Sequence, residues 1–327
     1  MKFADQSTIY YLCYGYNQPW EEQKLSYQHV GNLNQNGQPA FVVHFGKYRP
    51  MFCHEADVIS LQSLRARFDI NRDWVVVPDS LGHMMTDIPG KKVLLSVKIE
   101  NLLRPYGNQI NAQYPHYDCS INGIFCTSEI EMAILKSLFP DIRIMVVPWQ
   151  VSNRLFRYKP LKSKKRRVVI VPENIDSLYV MFHTIQSRCK KGLNPFKDIE
   201  WTLLSHKSEN KRSALILDSL IFVSLAIEER TTYMMLEALA SGCFPISYSD
   251  LLKTKLNLPT NLQCDRGNIL SVIKTLENVL HYMTDAPEII ERVIQQGQDC
   301  ARSFSEKQQA QALLSAWGEM FQNVSYT

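Results

Sequence analysis

The chain has 327 residues, 45% of them hydrophobic and 21% charged, with a formal net charge of +4. That length exceeds what one hydrophobic core usually serves and suits two domains of roughly 150 residues each, and the composition excludes wholesale disorder. The charge lacks the strong basic excess of a dedicated nucleic-acid binder, so no nucleic-acid partner is expected. Residues 8–14 (TIYYLCY) combine β-branched and aromatic residues and predict a first buried strand. A turn over 15–23, a helix over 24–34, a turn at Asn36-Gly37 and a second strand over 40–45 follow. The loop after the first strand, Asn17-Gln18-Pro19-Trp20-Glu21-Glu22, has no glycine pair of the kind that lets backbone approach a phosphate.

Further strands are predicted over 74–78 (WVVVP), 92–97 (KVLLSV) and 123–127 (GIFCT), with a loop over 82–90 that carries His83. Ser128, with Glu131 three positions on, is a capping-box pattern that starts a helix ended by Pro140. Residues 142–148 (IRIMVVP) read as the strand leaving a first domain. Residues 153–165 lose periodicity and turn basic, and the run 162–167 (KSKKRR) reads as a solvated linker, the alternative being contact with an anionic membrane surface. The rhythm resumes with a strand over 168–171, a helix over 175–189, a strand over 200–204 and a helix around 211–217. Next come a strand over 220–227, a polar turn over 228–232, a helix over 233–241 closed by Gly242 as a left-handed cap, and a strand over 243–248. Helices over 268–283, 286–304 and 306–321 complete the chain.

The eight cysteines form no C-x-x-C pair and no metal-ligand spacing with histidine, so they read as reduced thiols of a cytoplasmic protein. No apolar run approaches the ~20 residues of a membrane span. The N-terminus, MKFADQSTIYYL, lacks a signal-peptide core.

Residues 218–248 form strand, acidic turn, helix and strand, one βαβ unit whose turn lies where open α/β sheets bind ligands. Glu229 and Glu237 in this unit make an E-x7-E pair, and the second Glu opens the run Glu237-Ala238-Leu239-Ala240-Ser241-Gly242-Cys243. Together with Cys126-Thr127-Ser128-Glu129, Val146-Val147-Pro148 and the terminal Phe304-Ser305…Trp317, these segments resemble the retaining nucleotide-sugar glycosyltransferases of family 4. The N-terminal half (YYLCYGYNQPW…YQHVGNLNQNG) is similar to a bacterial branch of that family often engaged in surface-polysaccharide biosynthesis.

The resemblance implies an α/β fold of the GT-B type: two Rossmann-like domains with parallel sheets facing a central cleft. It implies an acceptor-side domain over 1–152, a nucleotide-sugar-side domain over 153–304, and a C-terminal helix over 305–327 returning to the first domain. By the same resemblance Glu237 is the ribose-binding carboxylate, and Glu229 is the catalytic residue beside the donor sugar. The backbone of Arg230, Thr231 and Thr232 faces the diphosphate, with Gly15, Asn17 and Asn101 on the first-domain side of the cleft. The leaving diphosphate gains charge in the transition state, which helix amides and cations stabilise without a metal. No cofactor or metal is expected, and the nucleotide sugar is a co-substrate.

Departures from the family pattern fall on ligand-facing segments. Arg230, Thr231, Thr232 and Tyr233 stand where the family usually has two glycines, and Glu173 stands where it has a basic pair clamping the diphosphate. Two readings remain. The favoured one is an active, metal-independent hexosyltransferase moving a sugar from a nucleotide sugar to a glycan or lipid-linked acceptor in the cytoplasm, with peripheral contact at the inner face of the membrane left open. The alternative is a catalytically inactive relative acting as a binding or regulatory partner. A dehydrogenase fails because no G-x-G-x-x-G follows any strand.

Overall fold

The computed structural model describes residues 7–14, 21–46, 55–103, 121–172, 174–190, 195–204, 208–226, 233–248, 252 and 255–324. The chain divides into two compact units, Met1–Gln150 with Glu306–Thr327, and Val151–Ser305.

The first unit holds β1 (Ile9–Tyr14), β2 (Ala40–Phe45), β3 (Val58–Ser60), β4 (Trp74–Pro78), β5 (Lys91–Leu95), β6 (Ile121–Cys126) and β7 (Ile144–Val146). They form one sheet in the order β3-β2-β1-β4-β5-β6-β7, every pair parallel. Parallel strands covered on both faces read as unbroken apolar runs, which is why WVVVP was legible: all five residues of β4 are buried. The helices are α1 (Glu21–Gln35), α2 (Leu61–Arg67), α3 (Ile99–Leu103) and α4 (Glu129–Leu138). At α4 the Ser128 hydroxyl caps the Glu131 amide at 3.2 Å, half of the predicted box. The Glu131 carboxylate reaches instead to the Thr127 amide and to Ser96 Oγ.

Four elements escape the sequence reading. β3 is three residues long at the sheet edge, too short for a period, α2 and α3 are brief, and the expected loop over 82–90 lies largely in a 3-10 run, Asp79–Asp87.

The second unit holds β8 (Lys165–Val171), β9 (Glu200–Leu203), β10 (Ser219–Ser224) and β11 (Phe244–Ser247), all parallel, in the order β11-β10-β8-β9. Its helices are α5 (Ile175–Lys190), α6 (Glu209–Leu217), α7 (Tyr233–Ala240), α8 (Ile269–Asp285) and α9 (Pro287–Arg302). Pro245 is tolerated in β11 because that strand is an edge and the missing amide costs no ladder bond on its open side. Gly242 closes α7 at φ +76°, and a Cβ there would meet the Tyr158 ring at 2.8 Å and the Lys159 carbonyl at 3.1 Å.

The basic run 162–167 is not a solvated linker throughout, because β8 begins inside it. Arg167 is buried and donates to Glu200 Oε2 at 2.9 Å across the β8–β9 pair. Lys164 Nζ donates to the Leu217 carbonyl at 2.9 Å, and Lys165 pairs with Asp218. Charge density alone carries no information about which cations find partners on neighbouring strands.

The last helix, α10 (Glu306–Val324), belongs to the first unit and packs on α1. Gln309 donates to Gln28 Oε1 and to the Pro148 carbonyl at 2.8 Å, while Asn32 Nδ2 donates to Gln309 Oε1 at 2.9 Å and to Gln150 Oε1 at 3.0 Å. α1, predicted over 24–34 and observed over Glu21–Gln35, is buried along almost its whole length, and these amide contacts let its polar residues be covered.

Candidate functional site

In open parallel sheets ligands bind at the carboxyl ends of the strands, where the strand order reverses. That reversal falls between β8 and β10 in the second unit and between β1 and β4 in the first. Each unit has a distinctive polar group nearby.

In the second unit α7 follows β10 and carries Glu237 in its middle. Its carboxylate is 1% exposed and accepts from both Arg212 Nε at 3.2 Å and Arg212 Nη2 at 3.3 Å. Arg212 lies on α6, is equally buried, and stacks under the Tyr233 ring at 5.0 Å. Glu209, one helical turn away, stands 3.9 Å from the same guanidinium. Burial by itself would lower the guanidinium pKa, but the Glu237 charge, helped by Tyr233 and Glu209, outweighs it and holds Arg212 above its ordinary value. The result is a side-on, two-point carboxylate–guanidinium pair, a geometry available to arginine and not to lysine.

Glu229, Arg230, Thr231 and Thr232 lie outside the described residues, as do Glu173, Gly15 and Asn17. At the end of β8, Asn174 uses its side chain to cap the Ser177 amide at 2.8 Å. Arg188, near in sequence to that strand end, pairs instead with Glu277 on α8. Of the predicted site residues, the described ones are thus Glu237, met by Arg212, and Asn101.

Asn101 belongs to the group in the first unit. Its amide donates to Glu22 Oε1 at 2.9 Å, and the Ser80 hydroxyl donates to Glu22 Oε2. Asp79 follows β4, is 0% exposed, and accepts on Oδ2 from the amides of Val97 at 2.8 Å and Lys98 at 2.6 Å. Beside it Lys98 Nζ pairs with Glu21 at 3.1 Å. Burial, then the adjacent Glu22 charge and a hydrogen bond to that carboxylate, push Asp79 well above the usual carboxylate range, against the pull of the two amides. One oxygen accepts both amides while the other, Oδ1, is buried without a hydrogen-bond partner, so the neutral form of Asp79 is the one the site favours. Sequence reading saw Glu21 and Glu22 only as replacements for glycines, since nothing local ties them to a residue more than fifty positions away.

This arrangement has a sign. A carboxyl whose pKa is raised on folding binds more protons folded than unfolded, so stability falls as pH rises from about 4 through the folded pKa. Asp79→Asn keeps the accepting oxygen and supplies an N–H for Glu22. It is expected to be at least as stable as the parent at alkaline pH and to flatten the parent's fall in stability as pH rises above about 4, read by urea unfolding. A variant markedly less stable than the parent at pH 8 would contradict the protonated assignment.

Among the described residues no cluster of three or more His, Cys, Asp or Glu is placed to hold a metal ion, and no helix is long and apolar enough to cross a membrane. No family model and no curated protein sequence matches the chain. Solved structures do. A sucrose-phosphate synthase from Thermosynechococcus elongatus superposes with a TM-score of 0.66 at 12% identity, covering 97% of this chain and 100% of that one. The pneumococcal O-GlcNAc transferase GtfA, solved with UDP and GlcNAc, gives 0.62 at 8% identity over 98% and 99%. WaaG, a glycosyltransferase involved in lipopolysaccharide biosynthesis, gives 0.59 at 12% identity over 93% and 99%. Likeness at such low identity speaks for the fold, which is α/β with parallel sheets and of the GT-B type.

Proposed function

We propose that this GT-B chain transfers a sugar from a nucleotide sugar to a glycan or lipid-linked acceptor, without a metal ion. One observation carries the reading. A carboxylate, Glu237, stands on the helix that follows β10, beside the strand-order reversal of the second unit, in a chain whose whole length follows the fold of sugar transferases. There Glu237 binds the ribose hydroxyls of the donor and Glu229 lies beside its sugar. The amides of Arg230, Thr231 and Thr232 meet the diphosphate, and the first unit, with Gly15, Asn17 and Asn101, receives the acceptor. The UDP and GlcNAc bound by the pneumococcal transferase and the lipopolysaccharide role of WaaG support a nucleotide-sugar donor and an acceptor of the bacterial cell surface. A lipid-linked acceptor brings a cytoplasmic protein to the inner face of the membrane as a peripheral visitor.

The chemistry asks little of the protein beyond placement and charge. Amides and positive groups stabilise the departing nucleoside diphosphate more strongly in the transition state than in the ground state. Calorimetric titration with UDP-, GDP- and ADP-sugars tests the reading. One donor is expected to bind, and Glu237→Ala to weaken it at least ten-fold, the scale of lost charge-assisted hydrogen bonds. Absence of binding by every nucleotide sugar at millimolar concentration would leave a non-catalytic relative as the better description.

A further inference from the structure

We propose that Ser80 and Asn101, oriented by Glu22, form a subsite of the first unit that binds the hydroxyls of a neutral sugar ring. The proposal rests on the acceptor role of the first unit and narrows it. The group bound here is a sugar and not the phosphate of a lipid carrier.

The three residues come from different elements and meet at one place. Glu22 lies in the first turn of α1, which follows β1, Ser80 stands just beyond β4, and Asn101 is on α3. Their hydrogen bonds span 58 and 79 positions of the chain. β1 and β4 are the paired strands at which the order of the sheet reverses, and an open parallel sheet receives ligands beyond the carboxyl ends of such strands. Glu22 comes from one side of that crevice and Ser80 from the other.

Both contacts to Glu22 leave hydrogen-bonding capacity unused. Asn101 Nδ2 donates to Glu22 Oε1 at 2.9 Å, and the Ser80 hydroxyl gives its only proton to Glu22 Oε2. Asn101 keeps Oδ1 and one amide N–H, and Ser80 keeps the lone pairs of its oxygen. Both side chains are half-buried, so a ligand can meet them. A sugar hydroxyl donates and accepts, which suits this mixture. A phosphate only accepts, and it would meet oxygens that also only accept, with the carboxyl groups of Glu22 and Asp79 behind them. Lys98, a cation at the same edge, pairs with Glu21 at 3.1 Å.

A second observation points to a bound molecule. Asp79 directly precedes Ser80 and is 0% exposed. Its Oδ2 accepts from the Val97 and Lys98 amides, while Oδ1 has no hydrogen-bond partner. Buried polar atoms are rarely left unmatched, because desolvation without a partner is costly. A ligand hydroxyl seated against Glu22 supplies the missing partner.

Saturation-transfer NMR on the full chain tests the proposal, with and without UDP, GDP or ADP. The probes are the methyl glycosides of glucose, galactose, mannose and N-acetylglucosamine, with pyrophosphate as the competing anion. At least one glycoside is expected to bind, and pyrophosphate not to displace it. Ser80→Ala and Asn101→Ala are each expected to weaken that glycoside about two- to ten-fold, the scale of one hydrogen bond. Ser80→Thr, which keeps the hydroxyl, retains the parental affinity. The urea midpoint stays parental in all three variants, which separates a lost contact from a lost fold, and either alanine variant suffices if the other does not fold.

Displacement by pyrophosphate, or an affinity that ignores both alanine substitutions, overturns the proposal. So does a chain that binds a nucleotide sugar and no glycoside, and the transferase reading then stands. Glycoside binding that responds to Ser80 and Asn101 in a chain that binds no nucleotide sugar upholds the subsite and removes the transferase reading. A chain that binds neither loses both.

Discussion

Arg212→Met is expected to destabilise the second unit by about 3–5 kcal/mol, the usual cost of removing one member of a buried ion pair. The size follows from what stays behind. Glu237 and Glu209, at 1% and 0% exposure, lose the guanidinium that both face. Two acidic side chains then stay buried without the cation that faced them both. Urea unfolding measures the loss. A loss below about 1 kcal/mol would mean that solvent reaches these carboxylates and that the pair is surface-like.

Trp317→Ala is the second large effect, about 3–5 kcal/mol for emptying an aromatic core site. Trp317 is fully buried and lies edge-on to Trp74 at 5.6 Å and to Phe125 at 5.3 Å, with Phe321 stacked at 5.5 Å. Its indole N–H donates to Tyr11 Oη at 3.3 Å, and that hydroxyl lies 3.2 Å from His29 Nδ1. Burial pushes His29 down to about 3, so the ring is neutral and Nδ1 can accept from Tyr11. Truncation leaves a void on the first sheet and ends this relay. Urea unfolding followed by circular dichroism should register the loss, and protease should cut within 306–324 sooner than in the parent. Unchanged stability and protection would show that α10 is held by its Gln309 amide contacts alone.

How much of this was readable in advance depends on the range of the interaction. β1, β4 and β10 were legible because strands buried on both faces are continuous apolar runs. The Ser128 cap and the Gly242 turn were legible because both are settled within a few residues. β3 and α3 were not, being three and five residues long.

The basic run 162–167 was misjudged because its charge is visible in the sequence while Glu200 and Asp218, which neutralise part of it, arrive from other strands and turns. Glu237 stood out by its spacing from Glu229. Arg212 did not, since a cation on a short helix has no signature until α6 and α7 pack together.

By itself the sequence determined the alternation of strands and helices, the restart of that rhythm after residue 165, and the candidacy of Glu237. These follow from side-chain periods and caps that operate over a few residues. Tertiary structure alone decided that Glu237 meets Arg212 and Asp79 meets Glu22, and that α10 closes on Tyr11 from the far end of the chain. Such partners are selected by packing and by the cost of leaving a buried polar group unmatched, and neither quantity is written in the local order of residues.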